Sequence, residues 1–277
     1  MRSQMPLKVS IPGAGTTSKH LLKAHRELSG RTAKVATGKR INSAADDAAN
    51  SGVATNLNAQ QRSTRVAMRN ISDGMSLVTT MESTANHVSD KMMRMRELAV
   101  QGSGNVLGAQ ERRFLQEEMA SLQNEVDRLA NGAEFNGVNY ADGSTLSLDL
   151  QMGANNSSSD RMTIDMFNMT TNSLFGGKTV GVKTDSDSQL ALQSIDRAIE
   201  ALGSIRSNFG ADQNVMAAAE AQAGLYSENI TVAESRVLDA DYAHETAEIA
   251  RAQMVIQANI AVRAQAGVSA QAIASLI

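Results

Sequence analysis

The apolar positions of this chain are helix-spaced towards both ends and strand-spaced only in the middle. Ile71, Val78, Ala85, Met92 and Ala99 recur every seven residues, with Met81, Val88 and Met95 offset by three, which is the spacing of a coiled-coil seam. Such a seam needs a partner helix. Ile195, Ile199, Leu202, Phe209 and Met216 keep the three-four spacing of a second long helix, so the first and last thirds of the chain are expected to pack antiparallel. Leu115, Met119, Leu122, Val126 and Leu129 mark a further amphipathic helix. Between these helices the period changes. Phe135-Asn136-Gly137 and Asp142-Gly143 are turn signals, and Leu146, Leu148, Leu150 and Met152 alternate, as do Met162, Ile164 and Met166. The expected fold is mainly α, an elongated antiparallel coiled-coil helical rod built from both chain ends, with a small central β-hairpin region.

Punctuation residues divide the pattern further. Pro6, Pro12, Gly13 and Gly15 predict an irregular opening, followed by a helix from about Thr16 to Thr37 that stops at Gly38. Ser43, with Asp46 three residues on, reads as the N-cap of a long helix reaching about Val100. Gln101 to Gly108 breaks that helix, Gly176-Gly177 marks a turn, and helical spacing resumes at Ser186. Ser235 to Ala243 interrupts the next helix, with Asp239 or Asp241 as the cap of the last one. In that last helix Ile249, Met254, Ile256, Ile260, Val262 and Val268 occupy more than one face, and such a helix wants several neighbours. Leu276 is expected in a contact of the same kind. The expected organisation is residues 1–42 with 241–277 as a terminal-helix domain, 43–132 with 186–240 as a helical rod, and 133–185 as its hairpin and loop part.

Composition narrows what such a chain does. Aromatic residues are 3% of the chain and Trp is absent, so Ala, Leu, Ile, Val and the 15 Met must fill thin helical seams. With no Cys there is no disulfide, thiolate metal site or cysteine nucleophile. The opening residues contain no continuous apolar stretch of the signal-peptide kind, and no run approaches the roughly 20 apolar residues of a membrane span. Net charge is −3, yet residues 1–42 carry nine Lys/Arg against the single acid Glu27. A nucleic-acid footprint on this basic arm would want stacking aromatics, and none precedes Phe114. The expected reading is therefore a charged arm neutralised by another segment or subunit. His244-Glu245-Thr246-Ala247-Glu248 has Glu248 where a zinc-protease helix needs its second His, and Gly13 to Lys19 has Ser18 where a phosphate loop needs Gly. No catalytic, cofactor-binding or metal residues are assigned, and no enzyme activity is expected.

Five words of the sequence then fall in order: RINSAADDAA (Arg40 to Ala49), RELAVQ (Arg96 to Gln101), EVDR (Glu125 to Arg128), FNG (Phe135 to Gly137) and SRVLDADYAHE (Ser235 to Glu245). In these the chain resembles bacterial flagellin, in a short form lacking large outer variable domains. Lys39 and Asn50 depart from the Leu and Gly usual around the first word. The resemblance implies a structural subunit that polymerises into the flagellar filament and serves swimming motility. It also implies export unfolded through the flagellar type III system, with an export chaperone on the C-terminal region, and a location in a secreted, extracellular flagellum. Its partners would be copies of itself, the flagellar cap and hook-filament junction proteins, with no nucleic acid and no membrane. A hook-filament junction protein or a minor flagellin is the alternative. The residues expected at assembly contacts are Arg40, Ile41, Asn42, Asp46, Asp47, Asp239, Asp241, Ile249, Met254, Ile256, Ile260 and Leu276. In flagellins read by an innate immune receptor the contact surface surrounds the RELAVQ word, which corresponds here to Arg94, Leu98 and Glu118, with Met93 in place of the usual Gln. O-linked glycans, common on flagellins, would fall on the hydroxyl-rich loops at Ser157, Ser158, Ser159, Thr170 and Thr171.

Overall fold

The computed structural model describes residues 14–104 and 106–274. The irregular opening expected from Pro6, Pro12 and Gly13, and the contact expected of Leu276, lie outside the described residues. Among these, the helices are α1 (Ala14–Thr37), α2 (Ala48–Gly102), α3 (Ala109–Asn131), the short α4 (Thr171–Leu174), α5 (Asp185–Leu238) and α6 (Tyr242–Ala274). The strands are β1 (Glu134–Phe135), β2 (Val138–Asn139), β3 (Ser147–Gln151) and β4 (Arg161–Asp165). The fold is thus mainly helical with two small antiparallel strand pairs, as the periodicity indicated. Gly15, expected in the irregular opening, lies inside α1.

The described residues form two compact units, one within 60–229 and one from 14–59 with 230–274. In the central unit the seven-residue series is the core: Ile71, Val78, Met81, Ala85, Val88, Met92, Met95 and Ala99 are all fully buried. Ile195, Leu202, Phe209 and Met216 of α5 are likewise fully buried. Polar bridges fix the antiparallel direction, because Gln213 donates to Glu82 at 2.9 Å and Arg96 to Asp196 at 2.6 Å. Helix α3 adds Leu115, Met119, Val126 and Ala130 to the same core. Its outer edge is tied to α2 by Arg94, whose guanidinium donates twice to Glu118 at 2.7 and 2.9 Å.

The two strand pairs lie against this helical core. Asn136 and Gly137 both take positive φ, 51° and 81°, and they join β1 to β2 in the two-residue turn that Asn-Gly favours. Strand β3 pairs with β4 so that Leu148 faces Ile164 and Leu150 faces Met162. Leu150 and Ile164 are buried, so one face of this hairpin packs inward. Its strands are shorter than the alternation suggested, since Leu146 is exposed and Met152 already belongs to the connecting loop. Gly74 on α2 makes the close packing possible: a Cβ there would sit 2.6 Å from Cδ2 of Leu150 and 3.2 Å from the sulfur of Met216. Further along, Phe167 meets the buried Phe209 edge-to-face at 5.8 Å.

The start of α2 differs from the expected one. Asp46 does accept from the backbone N–H and hydroxyl of Ser43, but this closes an isolated turn before the helix. Helix α2 begins at Ala48 and is capped by Asp47, which accepts from the N–H of Asn50 at 3.0 Å. Ser43 is not the cap because Asp47 offers a carboxylate at the correct spacing from the first helical N–H groups. The backbone N–H of Asn42 and Asn50, respectively, are the main reason that the Asp46 and Asp47 carboxyls are held below the ordinary Asp value.

Candidate assembly interface

In the terminal unit the breaks on either side of the long helices are bonded to each other. Backbone bonds run from the N–H of Arg40 to the carbonyl of Leu238 at 2.6 Å and from Ala240 to Gly38 at 3.0 Å, with Lys39 and Asp239 as the bridge pair. The Arg40 guanidinium also donates to the Val237 carbonyl at 2.8 Å. Ile41 is buried beside this clasp, and Asn42 accepts from the Thr37 hydroxyl at 2.7 Å. Gly38 takes φ 70°, which lets the chain leave α1 abruptly. The RINSA word is therefore a built corner. Five residues expected at assembly contacts, Arg40, Ile41, Asn42, Asp46 and Asp47, work inside the chain to shape it.

The acidic break is the other half of the corner, and its two aspartates do different things. Asp241 caps α6 by accepting from the N–H of Ala243 at 2.9 Å and His244 at 3.1 Å. The Asp239 carboxylate accepts from the hydroxyl of Ser235. Beyond the cap, α6 packs antiparallel on α1. The Tyr242 hydroxyl donates to the Val35 carbonyl at 2.6 Å, and Arg31 reaches Glu245 at 3.0 Å and Glu248 at 3.2 Å. Glu245 and Glu248, the acids of the His-Glu-x-x-Glu sequence, are thus partners of an arginine, and His244 points to the exposed side of the helix.

Among the described side chains of α6, one stripe is covered. Ala252 and Ile256 are buried against α1, where Ala24 is their counterpart, and Ile249 is half-buried. Met254, Val255, Ile260, Val262 and Val268 remain exposed, at 62%, 44%, 53%, 61% and 61%. Successive residues turn about 100° on a helix, so these five surround it rather than continue the covered stripe. Burying each would be worth on the order of 1.5–3 kcal/mol, so the free helix pair leaves considerable stabilisation unused.

The other residues singled out by resemblance sort differently. Leu98 is fully buried in the central unit and offers no surface, which corrects its assignment to a receptor-facing patch. The seven-residue series and its companions do not include Leu98, so resemblance alone places it at a surface. Arg94 and Glu118 are exposed and paired, and Glu97 adds a bond of 2.8 Å to Arg94. These carboxylates, Glu97 foremost, strengthen the hold of Arg94 on its proton. Ser157, Ser158 and Ser159 are exposed. Thr170 and Thr171 do not form the free loop expected of them: both are half-buried, with hydroxyls bonded to Asn168 and Asp127, and Thr171 opens α4. Asp127 also receives the N–H of Thr171 at 2.8 Å, which gives the EVDR word a structural task that sequence reasoning missed.

The corner, the pair of terminal helices and the coiled-coil core define a mainly helical protein with bare apolar helix faces. Comparison with known proteins says which. Residues 14–146 match the bacterial flagellin N-terminal helical region, and residues 192–277 match the bacterial flagellin C-terminal helical region. A flagellin of Halalkalibacterium halodurans is 34% identical over 88% of this chain and 89% of its own length. The flagellar filament 30.7 kDa core protein of Treponema maltophilum is 29% identical over 91% of this chain and 92% of its own. The solved structure of Bacillus cereus flagellin superposes with a TM-score of 0.51 at 26% identity, covering 56% of this chain and 88% of that one. This chain belongs to the bacterial flagellin family, and it is a subunit of the flagellar filament. No described helix is long and apolar enough to cross a membrane.

Proposed function

We propose that this flagellin builds its filament by covering the bare faces of α6 and α1 with the same helices of neighbouring subunits. The observation that carries the reading is the exposure of Met254, Ile260, Val262 and Val268 around a helix with one covered stripe. In this reading residues 1–42 and 241–277 form the filament core. Residues 43–132 and 186–240 make rod contacts, and the hairpin region 133–185 faces outward. A cleft of about 320 Å³ beside the corner, lined by Ile41, Asn42, Ser51, Asn58 and Glu234 among others, gives a neighbouring subunit a polar seat. A helix pair that is short of partners in the single chain suits export unfolded through the flagellar type III route, with a chaperone masking the C-terminal region until a cap admits the subunit to the filament outside the cell. The family resemblance supports junction proteins at the base as further partners. Arg94 and Glu118 serve first to join α3 to α2, and an immune receptor contacting this region would meet them with Glu97 rather than Leu98.

Electron microscopy of the purified full-length chain, seeded with short filament fragments, tests the reading beside a chain lacking residues 1–42 and 241–277. Filaments from the full-length chain alone are expected. Filaments from the trimmed chain would move the assembly determinants into the central unit and overturn it.

A further inference from the structure

Two charged surfaces of the central unit have no counterpart within the chain. Arg62, Arg65 and Arg69 of α2 are exposed. Successive residues turn about 100° on a helix, so the three share an arc of about 60° and span roughly 10 Å along it. Among the described residues none of them has an ion pair or a side-chain hydrogen bond, and Asp73, one turn beyond Arg69, is not bonded to it. Like charges three and four residues apart weaken a helix, so the stripe is an unrelieved repulsion in the single chain. The opposite charge lies on the hairpin. Cross-strand partners share a face, so Ser147, Asp149 and Gln151 of β3 stand with Arg161, Thr163 and Asp165 of β4 on the side away from the buried Leu150 and Ile164. Asp149 and Asp165 are diagonal neighbours there, roughly 7–8 Å apart. The single cation of that face, Arg161, is committed to Gln151 at 3.1 Å and Asn156 at 2.6 Å. Asp212 of α5 adds a third carboxyl beside Asp165: burial, and then the Asp165 carboxylate, raise it above its ordinary value.

We propose that the stripe of Arg62, Arg65 and Arg69 on one copy of this chain docks on the acidic hairpin face, Asp149 with Asp165, of the next copy. The two surfaces are opposite in sign and close in length, and the long arginine stems take up the difference. Guanidinium forks meet carboxylates through parallel hydrogen bonds, which fixes direction as well as attraction. Because the stripe and the acidic face are different surfaces, each copy offers one and receives the other. A contact of this heterologous kind repeats along a helical polymer instead of closing a pair. A second copy is the occupant because this chain is a filament subunit, and a filament sets such copies side by side. The contact rests on the filament reading above, to whose rod contacts it adds a sign and a direction; the hairpin keeps its outward place and meets the neighbour through this one face.

Seeded elongation of the full-length chain, followed by light scattering over a range of salt concentrations, tests the contact. Arg65→Glu with Arg69→Glu, and separately Asp149→Arg with Asp165→Arg, set like charges against each other and should each slow growth by about tenfold or more. Added salt should shrink both deficits relative to the parent chain, because it screens the repulsion. One chain carrying all four substitutions restores opposite signs and should recover most of the parent rate. Urea unfolding of each monomer, with hydrogen exchange across residues 60–229, checks the fold. Arg65→Gln with Arg69→Gln is a milder variant that removes charge without reversing it, and it should slow growth less than the reversal does. Parent-like growth of either reversed chain, or two deficits that simply add in the four-substitution chain, would overturn the contact; the former is also the result expected if the stripe serves an anion other than a second copy. Absence of growth by the parent itself would sink the filament reading and the contact with it, whereas a growing parent without rescue sinks the contact alone.

Discussion

Replacing Asp241 by Ala should impair filament growth far more than replacing Asp239, although both sit in the same acidic break. Asp241 is the cap of α6, and its side chain satisfies two N–H groups of the first turn. Loss of such a cap costs about 0.5–2 kcal/mol, and loss of the negative charge from the positive end of the helix is part of that sum. A change of about 1.4 kcal/mol is a factor of ten in population, so the fraction of chains with a formed α6 start should fall by about tenfold. Asp239 joins the clasp through its backbone, which Ala retains, and its carboxylate holds only the exposed hydroxyl of Ser235. Its replacement should cost no more than about 0.5 kcal/mol. Elongation from seeds, followed by light scattering, reads the two variants side by side, and hydrogen exchange in residues 60–229 checks that the central unit is untouched. Normal growth of Asp241→Ala, or equal damage from Asp239→Ala, would refute the assignment of the cap.

Three further substitutions follow from the packing. Phe209→Ala empties a fully buried site and breaks the edge-to-face pair with Phe167, so urea unfolding should show a loss of about 3–5 kcal/mol, with about 0.5–1.5 more from the ring pair. Gly74→Ala sets a better helix former against a clash with Leu150, and hydrogen exchange should show the β3–β4 hairpin loosened while α2 persists; unaltered hairpin protection would contradict the close approach. Burial, and then the Asp165 carboxylate, raise the Asp212 carboxyl above its ordinary value, 3.8. A carboxyl raised in the native state weakens the fold as pH climbs above its unfolded value. Asp212→Asn should therefore stabilise the protein at neutral pH, by no more than about 1 kcal/mol given solvent screening, and the gain should vanish below about pH 3.8.

What was legible in the sequence was periodic or local. The seven-residue series from Ile71 to Ala99 needed no partner to be named before it could be recognised, and every member is buried. The turn at Asn136-Gly137 is equally local, because positive φ at two successive residues is a property of those residues. Apart from the start of α2, what escaped depends on residues far apart in the chain. Ser43 and Asp47 are both good caps in isolation, and only the closed turn at Asp46 shows which one α2 uses. Gly74 looks like a weak point in a helix until Leu150 is brought against it. Thr171 looks like part of an open loop until Asp127, 44 residues away, caps it. The corner is the clearest case: RINSA and LDADY are recognisable as words, but nothing in either states that Arg40 bonds to Leu238. Leu98 lies outside the seven-residue series and its companions, so resemblance alone placed it at a surface, and its burial came from the packing of the central unit.

The central claim is that neighbouring subunits cover the outer faces of α6, and Met254 reports on it directly. Met254 is 62% exposed on α6, and Met93, 49% exposed on α2 in the central unit, serves as a comparator within the same chain. Brief treatment with a mild oxidant converts accessible methionine to its sulfoxide, and peptide mass spectrometry reads each site separately. In the monomer both should oxidise readily; in the filament Met254 should be protected by at least about tenfold relative to its monomer rate. Equal oxidation of Met254 in monomer and filament would contradict the account.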